Sequence, residues 1–193
     1  MRRRIVDVTL DNLSDVPAEA LNSVFWELAE EPPVDASFEK EEWFSGVLLE
    51  WGRCAKLLVV EDEPIGFAEY APPAMYPRLS RFRCGAVSPD AIYLSYCYVV
   101  AHRRGAGLGT ELVRAVARDL VGRGFHALEA VGDREWASGW VLPTAFLARN
   151  GFTVLRDDAR YPLMRLDLET AVRPKEAEEA AAAPLPIPAP GVA

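Results

Sequence analysis

The stretch AIYLSYCYVVAHRRGAGLG, residues 91–109, decides the fold of this 193-residue chain. Residues 91–100 are β-branched, aromatic and apolar, which predicts a strand. Beyond Gly109, apolar residues recur at helical spacing; they are Leu112, Val113, Val116, Ala117, Leu120 and Val121. Three glycines between the strand and the helix allow a tight turn with backbone N–H groups facing outward. Beside the positive end of the helix dipole, and with Arg103 and Arg104 adjacent, this loop predicts a pyrophosphate site.

Two better-known phosphate loops fit the sequence less well. A dinucleotide loop of the form G-x-G-x-x-G starting at Gly105 requires glycine where Thr110 stands, although Glu129 lies where its ribose-binding acid belongs. A nucleoside-triphosphate loop requires a Gly-Lys-Ser/Thr sequence that is absent here. What remains is Arg-x-x-Gly-x-Gly, with Arg104, Gly107 and Gly109 in place. An ordinary glycine-rich turn that binds nothing stays an alternative.

With this motif the chain resembles the GNAT superfamily of N-acetyltransferases, whose acetyl-coenzyme A loop is Arg/Gln-x-x-Gly-x-Gly/Ala between a strand and a long helix. The resemblance covers roughly residues 3–168. Stretches such as VFWEL and EYAPP also resemble a group of actinobacterial acetyltransferases without a settled substrate. The resemblance implies one α/β domain over residues 1–170, built on a central mixed β-sheet of about six to seven strands flanked by helices. It also implies acetyl-coenzyme A as co-substrate.

In this family the fourth and fifth strands splay apart, and the pantetheine arm of the cofactor pairs with the backbone of the fourth strand. Carried over by position, the contacts to the pantetheine and acetyl groups fall on Cys97, Tyr98 and Val99. The contacts to the pyrophosphate fall on Arg104, Gly105, Ala106, Gly107, Leu108, Gly109 and Thr110. Because the family transfers acetyl groups directly from thioester to amine, Cys97 is expected to be a small buried thiol and not a nucleophile.

Direct transfer requires a group that accepts the proton of the amine, and a proton donor helps the coenzyme A thiolate to leave. Glu69 is the first candidate for the base, followed by Glu129 and Glu27. Each of the three is alternatively a solvated or ion-paired carboxylate. The family often takes the acid from a tyrosine four residues before the glycine of a Gly-Phe pair. The pair is present at residues 151–152, but Leu147 occupies the tyrosine position.

Composition limits the remaining possibilities. A length of 193 residues with 50% hydrophobic content suits one well-buried domain, and a net charge of −8 argues against nucleic-acid binding. The acidity suits a cationic acceptor, although solubility alone also accounts for it. Three unpaired cysteines and two histidines predict reduced thiols, no metal and a cytoplasmic location. No apolar run is long enough to predict a membrane span.

The remaining elements were predicted from periodicity and from turn residues. A first strand is expected at residues 4–10, followed by a helix from Pro17 to Leu28 and a second helix capped by Ser37. A hairpin over residues 56–70, a strand at 127–131, a helix at 143–150 and a closing strand pair at 152–155 and 163–168 complete the domain. The alanine- and proline-rich residues 171–193 are expected to form a disordered tail.

These patterns together predict an acetyl-coenzyme A-dependent N-acetyltransferase that acts directly on a primary amine of an unidentified acceptor. One alternative is a non-catalytic acyl-coenzyme A-binding or regulatory module on the same fold. Another is a nicotinamide or flavin dinucleotide domain that uses Gly105, Gly107 and Glu129. A homodimer is possible, since dimers are common in the family that the chain resembles.

Overall fold

A computed structural model of the chain describes residues 2–31, 33–136 and 139–169. The predicted tail at residues 171–193 lies outside these ranges. The strands are β1 (Arg3–Asp7), β2 (Ala55–Val60), β3 (Glu63–Ala71), β4 (Ala91–Val99), β5 (Ala127–Asp133), β6 (Leu142–Pro143), β7 (Thr153–Arg156) and β8 (Leu163–Asp167). The helices are α1 (Ala18–Leu21), α2 (Ser37–Glu50), α3 (Leu108–Gly122) and α4 (Thr144–Arg149).

The strands form one mixed sheet in the order β1-β2-β3-β4-β5-β8-β7, with β6 beside β5. β1 to β4 pair antiparallel, β4 and β5 pair parallel, and β8 pairs antiparallel with both β5 and β7. The expected mixed α/β architecture is confirmed. The sheet has eight strands where six to seven were predicted, because β6 has only two residues and is too short to show an alternating pattern.

The pairing between β4 and β5 is short. Ala91–Tyr93 of β4 pair with residues 127–129 of β5, whereas β4 continues to Val99 against β3 alone. A gap therefore opens between β4 and β5 beyond Tyr93. At the same level β4 contains a bulge at Ser95, since Glu69 of β3 faces Tyr96 and the next residue of β3 faces Leu94.

The sheet is buried on both faces. α3 covers one face with the apolar side that the sequence predicted, and Leu112, Val116 and Leu120 are fully buried there. Val121, predicted on the same side, is 39% exposed. α2 and the segment around Trp26 cover the other face. This two-sided cover leaves the gap beside β4 as the opening into the sheet.

The predicted helix from Pro17 to Leu28 is wrong. The helical segment α1 ends at Leu21, and the chain continues in turns. Two carbonyl groups in those turns accept hydrogen bonds from distant side chains: that of Ser23 from Lys40 Nζ at 2.9 Å, and that of Leu28 from Arg78 Nε at 3.0 Å. These long-range bonds replace helical ones, and a periodic pattern cannot reveal them.

Two predicted boundaries also need correction. The first strand ends at Asp7 and not at residue 10, because a 3₁₀ turn begins at Leu10 with that side chain 52% exposed. Ser37 is the first residue of α2 and not its cap. Asp35 accepts hydrogen bonds from the Ser37 backbone N–H at 3.1 Å and from its hydroxyl at 2.7 Å, so the carboxylate takes the role predicted for the serine.

Within the described ranges, no helix combines the length and apolar character that a membrane crossing demands. No group of three His, Cys, Asp or Glu side chains in the same residues is placed to hold a metal ion. Cys54, Cys84 and Cys97 are free thiols.

We expect Gly132→Ala to destabilise the protein. A Cβ atom at Gly132 in β5 would lie 2.6 Å from Thr144 Cγ2 of α4 and 3.1 Å from Met164 Sδ of β8. Overpacking of this kind costs about 1–3 kcal/mol. The matched control is Gly122→Ala at the end of α3, where a Cβ atom meets nothing within 4 Å. Urea unfolding should show a loss for the first variant and none for the second, and equal losses would contradict the packing of α4 on β5.

Candidate active site

A cavity of about 580 Å³ lies where β4 separates from β5. One wall is formed by residues 96–99 of β4, and the loop and first turn leading into α3 close one end. The opposite wall comes from the chain after β5 and from α4; its side chains include Trp136, Val141, Leu142, Pro143, Phe146 and Arg149. The cavity therefore runs from the glycine loop along the unpaired edge of β4.

The glycine loop presents backbone N–H groups to this cavity. Gly105 and Gly107 have φ values of +83° and +78°, in the left-handed region where other residues are strained. Gly107 is also the residue that caps α3, so the free N–H groups of the first helical turn follow it directly. A Cβ atom at either glycine would meet no protein atom within 4 Å. The loop therefore lies open at the positive end of a helix of 15 residues, a place that favours negatively charged groups.

Arg104 fixes the loop to the end of β4. Its Nε donates a hydrogen bond to the Val99 carbonyl at 2.8 Å, and its guanidinium lies 5.5 Å from the centre of the Tyr98 ring. Arg103 pairs with Glu63 at 3.3 Å. Both arginines line the cavity, so each adds positive charge at the end where the glycine loop lies.

The predicted cofactor contacts lie together. All of them except Ala106 line the cavity, from Cys97 on the strand to Thr110 on the helix. Ala106, between the two left-handed glycines, does not. Burial raises the pKa of the Cys97 thiol to about 12, so this thiol stays protonated near neutral pH.

The α4 side of the cavity is not predicted from the sequence. A Cβ atom at Gly109, the last position of the motif, would lie 2.9 Å from Phe146 Cε2. Gly109 therefore lets α4 approach α3, which is a packing role and separate from phosphate binding. Arg149 also lines the cavity. Only the folded chain brings α4 to the glycine loop, so spacing along the sequence could not reveal this side.

Glu69 is completely buried on the sheet face opposite α3. Its carboxylate contacts Lys40 Nζ and accepts a hydrogen bond from Ser95 Oγ at 2.8 Å. Burial, together with the charge of Glu27, outweighs the effect of Lys40 and raises the pKa of Glu69 to about 8. Glu69 does not line the cavity, but its partner across the strands, Tyr96, does. Side chains facing each other in this way are neighbours, so Glu69 lies one side chain away from the cavity.

Glu129 has a different environment. Its carboxylate accepts hydrogen bonds from Arg165 Nη1 at 3.0 Å and from the Ser88 backbone N–H at 2.9 Å, and it is completely buried. It lies opposite Tyr93, in the paired part of β4 and β5, and it does not line the cavity. A dinucleotide bound at the glycine loop would therefore lack the acid expected to hold its ribose. Glu27, the third candidate, contacts Lys40.

The residue at the position where the family often has its acid has no proton to donate. Leu147 is completely buried in the core between α4 and the sheet, and the neighbouring Phe146 faces the cavity. The phenols of Tyr96 and Tyr98 do line the cavity, with their rings stacked at 6.2 Å. Burial raises the pKa of both phenols, so both stay protonated around neutral pH.

Comparison with known proteins agrees with this geometry. The pattern that defines the acetyltransferase (GNAT) family matches residues 19–138, more than half of the chain. Comparison with curated protein sequences finds no match.

Solved structures share the fold at low sequence identity. A Salmonella typhimurium protein with acetyl-coenzyme A bound is 15% identical with a TM-score of 0.59, and the match covers 87% of this chain and 95% of that one. The PaiA N-acetyltransferase of Thermoplasma acidophilum, in complex with coenzyme A, is 16% identical with a TM-score of 0.57, covering 86% and 99%. A ribosomal-protein-alanine N-acetyltransferase of Brucella melitensis is 18% identical with a TM-score of 0.58, covering 85% and 99%.

Gly107→Val is expected to weaken coenzyme A binding at least about tenfold, a loss of roughly 1.4 kcal/mol, because a branched side chain would strain the loop and cover its N–H groups. Gly124→Val is the matched control. Gly124 has a φ of +82° and equally open surroundings, but it lies beyond the other end of α3. Both variants should lose similar stability on unfolding, and only the first should lose affinity in calorimetric titration. Unchanged affinity of Gly107→Val would contradict the phosphate site.

Proposed function

Since this chain belongs to the GNAT family of acetyltransferases, we propose that it transfers the acetyl group of acetyl-coenzyme A directly to a primary amine. The observation that carries this proposal is the cavity that runs along the unpaired edge of β4, from the open glycine loop to Tyr96. An extended arm with a phosphate at one end and a reactive group at the other fits such a cavity.

The proposed arrangement of the cofactor follows the walls of the cavity. The pyrophosphate lies on the N–H groups of residues 105–110, beside Arg103 and Arg104. The pantetheine arm extends along residues 97–99 and takes the place that a longer β5 would occupy, bonding to backbone groups that β5 leaves free. The acetyl group then reaches Tyr96, beside the bulge at Ser95.

The proposed reaction has one bond-forming and one bond-breaking step. The amine nitrogen attacks the acetyl carbon of the thioester, the carbon–sulfur bond breaks, and the sulfur leaves as the coenzyme A thiolate. An acceptor that arrives as an ammonium ion gives one proton to a base before its nitrogen attacks. A second proton leaves the nitrogen as the amide forms and passes to solvent, and the thiolate takes one proton from a donor or from water. Tyr96 and Tyr98 are the proposed donors, because the protein has Leu147 where the family often has its acid.

Glu69 is the proposed base, ahead of Glu129. Glu69 faces Tyr96 across the two strands, and Tyr96 lines the cavity. The proposed path of the proton to Glu69 passes Tyr96, through one water molecule or after a movement of the ring. Glu129 is bound by Arg165 and Ser88 beside the closed part of the sheet, which suits a structural role.

The acceptor is proposed to be cationic in solution. The net charge of −8 favours the approach of amines, and the cavity is lined by Tyr96, Tyr98 and Trp136, whose rings attract ammonium groups. An ammonium ion has no free electron pair, so an acceptor of this type must lose a proton before its nitrogen attacks, and a base inside the protein takes that proton.

Thermal stabilisation by acetyl-coenzyme A, coenzyme A, NAD and FAD tests the cofactor assignment. A ligand at about one hundred times its Kd should add roughly 2.7 kcal/mol to the free energy of unfolding. The proposal expects a response to the two coenzyme A compounds alone, followed by thiol release with one member of a panel of primary amines. Stabilisation by a dinucleotide without a response to coenzyme A would overturn it.

A non-catalytic acyl-coenzyme A-binding module is the second candidate, and the observation in its favour is the buried Leu147 at the position of the usual acid. The same panel separates the two functions. Tight binding without thiol release from any amine supports the module, whereas turnover with one amine excludes it.

Glu69→Gln is expected to lower kcat by at least about 10²-fold while leaving the Kd for acetyl-coenzyme A unchanged, because the substitution removes a proton acceptor and no cofactor contact. Glu129→Gln is the matched control at an equally buried carboxylate on the neighbouring part of the sheet. It should lower stability, since Arg165 loses a charged partner, and retain kcat per folded molecule. Equal losses of kcat in the two variants would contradict the choice of Glu69.

A further inference from the structure

Three ionisable side chains meet inside the protein behind Tyr96. The ammonium group of Lys40, on α2, contacts the carboxylates of Glu27 and Glu69 and donates a third hydrogen bond to the Ser23 carbonyl at 2.9 Å. Lys40 is 1% exposed, and the two carboxyl side chains are 3% and 0% exposed. All three ammonium protons therefore have partners inside the protein, and water has no access to the group.

Such a cluster is uncommon inside a folded protein. Burying charges costs several kcal/mol per ion, and apolar side chains of the same volume often give equal or greater stability. This chain has 18 arginines and only three lysines, yet one lysine is fully enclosed. Glu69, which contacts Lys40, also lies one side chain away from the cavity, so chemistry at the cavity is a better explanation of the cluster than stability.

The charges in the cluster do not balance. With both carboxylates ionised, one ammonium faces two negative groups and leaves a net charge of −1 in a buried site. Uptake of one proton by either carboxyl group makes the cluster neutral. Both carboxylates contact the same nitrogen, and burial together with the charge of Glu27 raises the pKa of Glu69.

The other titratable groups around the cluster remain neutral near pH 7. Ser95 Oγ connects Glu69 to the Tyr76 hydroxyl, at 2.8 Å and 3.1 Å. Burial, assisted by the charge of Glu69, raises the pKa of Tyr76 on the neighbouring 3₁₀ turn and of Cys54 before β2. Burial also raises the pKa of Tyr96 on β4. Glu69 is therefore the group of this cluster that exchanges a proton near neutral pH.

The bulge in β4 brings the cluster to the reacting end of the cavity. Its extra residue is Ser95, whose hydroxyl contacts Glu69, and the next residue, Tyr96, lines the cavity. The gap between β4 and β5 begins two residues earlier, after Tyr93. Glu69 and the proposed acetyl position therefore lie at the same level of the sheet.

We propose that Glu27, Lys40 and Glu69 act as one proton-accepting unit, in which Lys40 and Glu27 are positioning residues that set the pH at which Glu69 accepts the proton of the acceptor amine. This inference rests on the proposed function. The proton passes from the amine nitrogen to Glu69, directly or through one water molecule, and the unit changes from a charge of −1 to neutral. After product release the proton returns to solvent, and the unit regains its charge.

The pH profile of kcat/KM with the best amine of the panel tests the unit, measured from about pH 6 to about pH 10. In the wild type, kcat/KM should rise as Glu69 loses its proton. Glu27→Gln removes a like charge, so the rise should move to lower pH by about one unit or more. Lys40→Met removes the opposite charge, so the rise should move to higher pH by a similar amount.

The double variant Glu27→Gln/Lys40→Met is the matched control. It again exchanges one proton between −1 and neutral, so its profile should return towards that of the wild type. A purely structural role would change the height of the profiles or the melting temperatures and leave the position of the rise unchanged. That result would overturn the inference even if acetylation itself is observed.

A direct titration of Glu69 tests the inference without any measurement of enzyme turnover. Carboxyl ¹³C signals of glutamate-labelled, ligand-free protein can be assigned to Glu69 by comparison with Glu69→Gln. The inference expects this signal to titrate near pH 8, and at lower pH in Glu27→Gln. Titration near the ordinary value of about 4.3 would overturn it. Absence of acetylation with any amine would instead count against the proposed function.

Discussion

The structure depends on an interrupted pairing between two parallel strands. β4 and β5 share hydrogen bonds only as far as Tyr93, and the remaining half of β4 has a partner on one side alone. Backbone N–H and C=O groups require partners, so an unpaired edge inside a domain is stable only when water or a ligand occupies the space. The α3 glycine loop, the two-residue β6 and α4 surround this space. The cavity is thus a consequence of strand register, and the side chains around it adjust its charge and shape.

Charge is distributed unevenly around that opening. The loop end carries the helix dipole with Arg103 and Arg104, which suits phosphates. The inner end is backed by two buried carboxyl groups that contact one buried lysine. The loop end therefore suits the anionic cofactor, and the inner end suits the acceptor whose proton the proposed reaction removes. β4 positions both ends of the cavity. Its last residues lead into the glycine loop, and Ser95 in its bulge contacts Glu69.

Features with a local cause could be predicted from the sequence. The strand, glycine loop and helix from residues 91 to 122 form as expected, because each follows from periodicity or from glycine geometry. Features that depend on distant partners could not be predicted from the sequence. The short α1 ends where Lys40 binds the Ser23 carbonyl, and Lys40 itself lies in a stretch of glutamates that reads as a solvated helix face. The position of Glu69 at the end of a strand makes it a candidate base from the sequence. Its partners cannot be predicted in that way, because the packing of α2 on the sheet brings them to it.

Hydrogen–deuterium exchange of the β4 amides tests the central claim most directly, because the claim concerns the backbone edge that β5 leaves unpaired. Acetyl-coenzyme A should slow exchange at residues 97–99 and at the N–H groups of residues 105–110, while amides in the paired segment at residues 91–93 remain unchanged. The hairpin of β2 and β3 provides an internal reference, since each of its strands has a neighbouring strand on both sides. Binding that protects the loop and leaves residues 97–99 exchanging at the unliganded rate would contradict the account.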